Sequence, residues 1–594
     1  MASLRRLVFI DHPHLIFPAV STALAVPALS PAPSFIPLAF LLTSVLVYTK
    51  VALPRPHGAL HTFVLGTGTS IGAAIGHNAA SFNALSSTTS SIFSVFVLSA
   101  ISSTIALFTV SLDRYSTRMS TPWAKITFFP ALWATVWQVL AHINPLGHLM
   151  SWAPVSGIDS YEWMRPIFGP WAANWVLAAF AVVGAEIAGS WFIGPNEEDD
   201  LHHEVEPQLI EHDLPAPAKI EDAPRAQGSR HTVALAVVLL LLAVPSYFVH
   251  PRPFPPYETS STPFTVGCIL PSDPKPGDHS TVLKRFIEET KKVQSLSDVL
   301  LWPEGALRFE NTGQREDAFA QVAKVAQHTL VGITFEERVP SEGTGSRSNK
   351  WRNGLALVGL DGTVRLEYYK RNLVPFAESF PMAESRDDPT IYELGMERPK
   401  GTNKTDWVPT GPPFVRPVPI TASICLDFAS PAALNSLPSR PSLILAPART
   451  WHTDVSMAMW EQARARAEEI GSTVLFCDGG AGGASGVAGN GIREVMQVGA
   501  GSWTRTVGFQ YPFDERRTFY ALGGDWAMAA LAWALLGVGW GGEVAIEGPL
   551  RHVMWAMRDS AFVGLLWRFA FALRRFVSDR KRGGQGEGQP LLTA

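Results

Sequence analysis

The sequence predicts a multi-pass α-helical membrane part joined to an α/β extramembrane domain. Three observations carry that prediction. The first is the distribution of charge. Only 13 charged side chains occur in residues 1–193, and the intervals His12–Thr49 and Pro56–Leu112 contain none. A soluble domain of this size carries charge on every surface helix, so this region reads as embedded in lipid. The second is a change of pattern near residue 255, where short β-branched and aliphatic runs begin to alternate with helical and turn segments. The third is a last apolar run, Trp526–Trp540, followed by a basic C-terminus.

A bilayer core about 30 Å thick needs about 20 mostly apolar residues per helix. Eight runs qualify as candidate spans: Leu15–Leu29, Phe35–Leu53, Leu60–Ala80, Ile92–Leu112, Ile126–Ile143, Trp171–Ile193, Thr232–Val249 and Trp526–Trp540. The first, with Pro18 and Pro27, also reads as a cleaved signal peptide. The last is short. Trp123, Trp171, Trp526 and Trp540 at span ends suit the interfacial aromatic belt. With a cytoplasmic N-terminus, the inner loops and span ends up to residue 125 hold seven Lys and Arg, and the outer loops hold Arg165 alone. Basic loops stay inside. Seven spans before residue 250 then place the 255–522 domain on the outer or luminal face.

The expected organisation is an N-terminal membrane region (1–193), an acidic linker (194–230), a further span (231–249), the α/β domain (255–522), a C-terminal span (524–541) and a basic tail (550–594). The linker, with ten acidic and three basic residues, reads as disordered and cytoplasmic. The tail contains a Trp- and Phe-rich stretch at 553–573 that reads as an interfacial amphipathic helix. The net charge of −4 argues against nucleic acid as the main partner. Cys268, Cys425 and Cys477 are too few for a disulfide-stapled fold and leave room for one reactive thiol. No His/Cys cluster has metal-ligand spacing, so neither a metal nor a cofactor is expected.

Within 255–522, strands are expected at Phe264–Leu270, Asp298–Trp302, Leu330–Glu336, Ile420–Cys425, Leu443–Ala446 and Thr473–Cys477. Gly354–Leu360 and Val364–Tyr369 flank Asp361–Gly362, a dipeptide that favours tight hairpins. Helices are expected at Val282–Val293, Ala318–His328 and about 455–470. Gly479–Gly486 reads as a flexible loop. Three strand ends bear reactive groups: Glu304 in LLWPEGA, Lys370 in EYYKRNLVPFAE and Cys425 in ITASICLDF. A thiol with a reference pKa of about 8.5 needs a base or a cation to attack at neutral pH. A carboxylate can take its proton, and an ammonium can stabilise the oxyanion that attack on a carbonyl creates.

The order WPE, then Y-x-K-x-x-LVPF-x-E, then a Cys-x-acid strand end resembles the carbon–nitrogen hydrolase (nitrilase) superfamily. The LVPFAE phrase and the flanking spans narrow the resemblance to the apolipoprotein N-acyltransferase family, over nearly the whole chain. The resemblance implies a nitrilase-like αββα sandwich. It also implies Glu304 as general base, Lys370 as oxyanion stabiliser and Cys425 as nucleophile. Glu378 matches a second glutamate near the lysine, and Asn353 falls where the family has a Tyr-Asn pair. Trp451 falls in a stretch thought to gate the lipid site. This chain departs from the family at Cys425–Leu426–Asp427, where the family has Cys-Tyr-Glu. It departs again at Ala448–Arg449–Thr450–Trp451, where the family has Asn-Asp-Ala-Trp, and in CDGGAGGASG from Cys477. Asp427 is carried as a supporting residue. Cys268 and Cys477 read as core residues.

The function so implied is transfer of an acyl chain from a membrane phospholipid, through a Cys425 thioester, to an amine. In the family that amine is the α-amino group of a lipid-modified N-terminal cysteine. A membrane-anchored amidase using water as acceptor, or a non-catalytic membrane scaffold or transporter, are the alternatives. The host membrane would be the bacterial cell (inner) membrane, with the domain facing the periplasm, or the endoplasmic reticulum membrane, with the domain facing the lumen.

Overall fold

The computed structural model describes residues 11–52, 57–113, 121–193, 227–249, 253–272, 278–339, 350–398 and 407–547, with short gaps at 83, 86, 410–413 and 432, and residue 8. The acidic linker, apart from its last residues, and the basic tail with its 553–573 stretch lie outside the described residues.

Among the described residues, five helices are long and apolar enough to cross a membrane: Thr88–Asp113, Pro122–Ile143, Pro170–Gly189, Arg230–Phe248 and Phe519–Val544. Pro13–Ala28 and Phe35–Lys50 are apolar but shorter. Gly58–Gly76 falls in neither group; it stops before a separate turn at Asn78–Ser81, short of the predicted end at Ala80. Its Gly68, Gly72 and Gly76 form a small-residue stripe against the Pro13–Ala28 helix. A side chain at these positions would run into Thr22 and the Thr22 and Val26 carbonyls. Small residues of this kind let two apolar helices approach backbone to backbone. The last helix, Phe519–Glu547, is longer than the short span predicted. Gly524, at φ 65°, breaks it into an initial turn and the apolar run, a conformation that favours glycine.

The α/β part contains two sheets. The first has the order β13-β1-β2-β4-β5-β6, with β3 also pairing β4. Its strands are β1 (Ser261–Cys268), β2 (Val299–Leu301), β3 (Leu307–Phe309), β4 (Leu330–Arg338), β5 (Trp351–Val358), β6 (Val364–Tyr369) and β13 (Trp503–Gln510). The second has the order β12-β11-β10-β9-β8-β7. Its strands are β7 (Tyr392–Met396), β8 (Arg416–Ala422), β9 (Leu443–Ala448), β10 (Thr473–Asp478), β11 (Ala484–Gly489) and β12 (Ile492–Val498). β9 pairs in parallel with β8 and β10, and both β9 and β10 are buried at every position. That explains their unbroken apolar sequence, since a parallel sheet is covered on both faces.

Phe264, Val266, Leu355 and Leu357 of the first sheet share one core with Ile420, Leu443, Leu445 and Phe476 of the second. On the outer face of the first sheet, Val331, Ile333 and Phe335 pack with Leu283 and Phe286 of the His279–Val293 helix and Phe319 of Thr312–Val325. Trp460 of the Thr453–Ile470 helix meets Phe476 edge-on, covering the second sheet. The layers therefore run helix, sheet, sheet, helix. The predicted hairpin is present, with β5 and β6 antiparallel.

Two expectations are corrected. Gly479–Gly486 is not wholly a loop: Ala484–Gly489 forms β11, buried at every position. Small residues there suit a strand packed closely on the Thr453–Ile470 helix. Cys268 and Cys477 are buried, as expected of core residues, but they are also joined in a disulfide between β1 and β10. Their sequence separation of 209 gives nothing local for the sequence to show. Such a link constrains the unfolded chain and contributes about 2–4 kcal/mol to stability.

The helical and α/β parts meet through a buried ionic lattice. Arg464 donates from Nε to Glu461 (2.8 Å) and from Nη1 to Glu468 (2.6 Å) and to Glu162 of the 159–168 segment. Arg165 pairs with Glu468 and Arg466 with Glu469, and at the exposed edge Arg493 bonds Glu461 at 2.8 Å and Asp159 at 3.3 Å.

Candidate active site

Glu304 follows β2 through Trp302 and Pro303. The Trp302 amide bonds Gly332 O and its indole bonds Thr290, so the bulky ring is anchored in the outer layer. Proline ends the strand, and the Glu304 amide bonds Ala448 O at the end of β9 (3.3 Å). Lys370 is the first residue beyond β6, and its amide bonds Asn353 O on β5 (2.9 Å). Cys425 opens a 3-10 turn, Cys425–Ala429, after β8. Its φ is 47°, the left-handed region that costs a non-glycine residue strain and collects at functional turns. Glu304, Lys370 and Cys425 thus leave the ends of three strands belonging to both sheets, and all are buried.

Four of the predicted residues form one hydrogen-bonded set. Lys370 Nζ donates to Glu304 Oε1 at 2.7 Å and to Glu378 Oε1 at 2.8 Å. Asn353 Nδ2 donates to Glu304 Oε1 at 2.6 Å. Cys425 shares the electrostatic field of this set, with Glu304 acting on its thiol. Glu378 is itself fixed by the Val374 amide on Oε2 (2.8 Å). Burial pushes the Glu304 carboxyl up, with Lys370 pulling it back. Burial works against the Lys370 ammonium, but Glu304, Cys425 and Glu378 together hold its pKa well above the ordinary value. Burial, then Glu304, raise the Cys425 thiol well above its usual range. These directions favour a neutral thiol and a charged ammonium on either side of the Glu304 carboxyl group. Such an arrangement can move the thiol proton to Glu304 as sulfur attacks, and place a cation at the oxygen that becomes negative.

Asp427 joins the Cys425 turn to the segment after Lys370. Its Oδ1 accepts from Asn372 N (2.7 Å), Asn372 Nδ2 (2.9 Å) and Arg371 N (3.1 Å). Its Oδ2 accepts from Tyr368 Oη (2.8 Å) and Ile424 N (3.2 Å). Sequence reasoning passed over Tyr368 and Asn372, although both stand inside the EYYKRNLVPFAE phrase. We expect Asp427→Ala to leave these buried donors unpaired, costing about 1–3 kcal/mol. The midpoint of thermal unfolding should fall accordingly by several degrees, which a melting curve checks.

Trp451 is at the junction of the two parts: its indole N–H donates to Ala80 O at 2.7 Å. The neighbouring Thr450 is locked to buried Asp478 by its amide (3.0 Å) and hydroxyl (2.6 Å). Asp478 is a further residue that the sequence did not single out. The Cys425–Ala429 turn docks on the segment between two apolar helices, Pro122–Ile143 and Pro170–Ile193, where His148 N donates to Ala429 O at 2.9 Å.

No protein-family model matches the chain. Among curated proteins, the chain is 26% identical over 286 residues to a protein from Methylococcus capsulatus, covering 45% of this chain and 52% of that one. It is 28% identical over 179 residues to one from Bradyrhizobium diazoefficiens, covering 29% of this chain and 32% of that one. A third, from Rhodopseudomonas palustris, is 34% identical over 83 residues, 14% of this chain and 15% of the relative. The curated relatives of this chain are apolipoprotein N-acyltransferases. The resemblance carried by the WPE, Y-x-K and LVPFAE phrases is borne out in those names. The chain spans between about a third and a half of the length of the first two relatives. Solved structures include the NitN amidase from Nesterenkonia, 15% identical with a TM-score of 0.30, covering 43% of this chain and 95% of that one. Another is a CN-hydrolase superfamily protein from Xanthomonas campestris, 18% identical with a TM-score of 0.30, covering 41% and 90%. An overlap of that size bears on no residue's role.

Proposed function

We propose that this chain is a multi-pass membrane N-acyltransferase that moves a fatty acyl chain from a phospholipid to an amine by way of a Cys425 thioester. The Cys425 sulfur attacks the ester carbonyl as Glu304 takes the thiol proton. Lys370 balances the oxyanion, and Asn353 and Glu378 hold the Glu304–Lys370 pair in place. Collapse breaks the ester C–O bond, and Glu304 returns the proton to the departing glycerol oxygen, leaving a lysophospholipid. The amine then attacks the thioester, loses its proton to Glu304 and expels the sulfur, which is reprotonated. The product is an amide.

The observation that carries this reading is the docking of the Cys425 turn on a segment of the apolar helical part through Ala429 and His148. A long acyl chain can reach such a nucleophile laterally, without leaving the bilayer. Phe376 and Phe380, on either side of Glu378, are 67% and 77% exposed, which suits contact with lipid. The names of the relatives support a lipid-modified protein N-terminus as the acceptor. The Cys268–Cys477 link and the basic inner loops support a domain on the periplasmic or luminal side, because disulfides persist in oxidising compartments.

The transferase and amidase readings differ in the acceptor. Enzyme preloaded with a labelled acyl chain is chased with a peptide bearing a diacylglyceryl N-terminal cysteine. The expected result is label on the peptide in a hydroxylamine-resistant amide. Release as free fatty acid at the same rate with and without peptide would establish a hydrolase instead.

A further inference from the structure

The mouth of the site carries a cation that the reaction described above does not use. Arg449 follows Ala448, whose carbonyl holds the Glu304 amide, and precedes Thr450, which Asp478 fixes. Its backbone is thus tied down on both sides, while its side chain is exposed. Arg449 Nη1 and Glu336 Oε1 converge over Gly305, the residue next to Glu304: they lie 3.6 and 3.5 Å from the point a Cβ there would occupy. Glu336 lies on β4 directly opposite Asn353 and feels Arg308, Arg449, Glu378 and Lys370, so this corner belongs to the same electrostatic neighbourhood as the reacting groups.

The cations nearby are otherwise committed. Lys370 is shared between Glu304 and Glu378, and Arg308 lies over the Trp351 ring at 3.7 Å. Arg449, among the described residues, makes no hydrogen bond and has only the Coulombic attraction of Glu336. Two residues on, Trp451 is bonded to Ala80 of the helical part. Arg449 therefore stands between the reacting groups and the junction with the apolar helices. That is where the head of a membrane lipid would sit while its ester carbonyl reached Cys425.

We propose that Arg449 is a specificity-determining residue that binds the phosphodiester of the glycerophospholipid acyl donor. The assignment rests on the acyl-transfer reading. Guanidinium presents paired N–H donors that match two phosphate oxygens, and Lys cannot reproduce that geometry. The contact sits beside the ester rather than on the reacting atoms, so it acts on donor affinity and leaves the chemical step alone.

The test uses the full-length protein in detergent and follows the initial rate of acyl-adduct formation at Cys425 by intact mass. Two donors with identical chains are compared: phosphatidylglycerol and diacylglycerol, which has the same esters and no phosphate. For Arg449→Gln the concentration of phosphatidylglycerol giving half-maximal rate should rise about tenfold, with the maximal rate within about twofold. Labelling by diacylglycerol should be unchanged, and Arg449→Lys should recover only part of the loss. Equal losses with both donors, or no loss with phosphatidylglycerol, would overturn the assignment while leaving the thioester intact. Wild-type protein that takes no acyl group from either donor would overturn the acyl-transfer reading and this assignment with it.

Discussion

Glu304→Gln is expected to lower the rate of acyl transfer about 10²–10⁴-fold, the usual worth of a positioned general base. The substitution is nearly isosteric. The Gln oxygen can still accept from Asn353, and Lys370 keeps Glu378 as a partner, so the pocket should remain folded. What disappears is the carboxylate that accepts from the Lys370 ammonium and acts on the Cys425 thiol. The pH dependence separates this from a general loss of structure. Burial raises the Glu304 carboxyl above the ordinary carboxylate value of about 4.3, and the active form is the carboxylate. The wild-type rate should therefore rise with pH through a limb lying above that value, and Glu304→Gln should lack the limb. The Cys425 thiol is raised as well, so no thiolate forms beforehand to replace the base near neutral pH. Unchanged turnover by Glu304→Gln, or an acid limb that survives in it, would remove Glu304 from the mechanism.

The largest effect on stability is expected at Arg464. The side chain is 1% exposed and is shared by Glu461 and Glu468 of its own helix and Glu162 of the helical part. Removing one member of a buried ionic set strands the others without compensation, which costs about 3–5 kcal/mol. Arg464→Ala should lower the midpoint of thermal unfolding by several degrees and loosen the α/β domain from the apolar helices. Arg464→Met combined with Glu468→Gln should recover part of the loss, because fewer buried charges are then left unpaired. Arg464→Lys should rescue poorly, since an ammonium cannot present the guanidinium fork to three carboxylates. A shift in Arg464→Ala corresponding to less than about 1 kcal/mol, the range of an exposed pair, would mean that the lattice is solvated and contributes little.

Much of the fold was legible because burial writes itself into sequence period and composition. β9 and β10 are covered on both faces and read as continuous apolar runs. The Asp361–Gly362 turn marked its hairpin, and the Leu283, Phe286 and Thr290 face marked an amphipathic helix. The strands that escaped notice lack such marks. β3 has three residues, β7 is a short edge strand with exposed positions, and β12 and β13 alternate polar with apolar residues among many turns. β11, built from Ala, Ser, Gly and Val, imitates a loop because close packing demands small residues. The glycine stripe of Gly58–Gly76 lowers hydropathy for a similar reason.

The site was legible where chemistry is local. Glu304, Lys370 and Cys425 each follow a strand in a recognisable phrase, and the fold brings those strand ends together along with Asn353 and Glu378. Partners set by tertiary approach were not legible. The Cys268–Cys477 link, the Asp478 clamp on Thr450 and the seat of Ala429 on His148 join residues that only the packing of sheet on sheet, strand on strand and helical part on α/β part brings together.

The central claim is that Cys425 carries the acyl chain. Intact-mass measurement of the purified protein after incubation with phospholipid, beside Cys425→Ala, tests it most directly. The account predicts an added acyl mass on the wild type alone, lost on treatment with hydroxylamine. An adduct of the same mass on Cys425→Ala, or none on the wild type with any phospholipid, would contradict it.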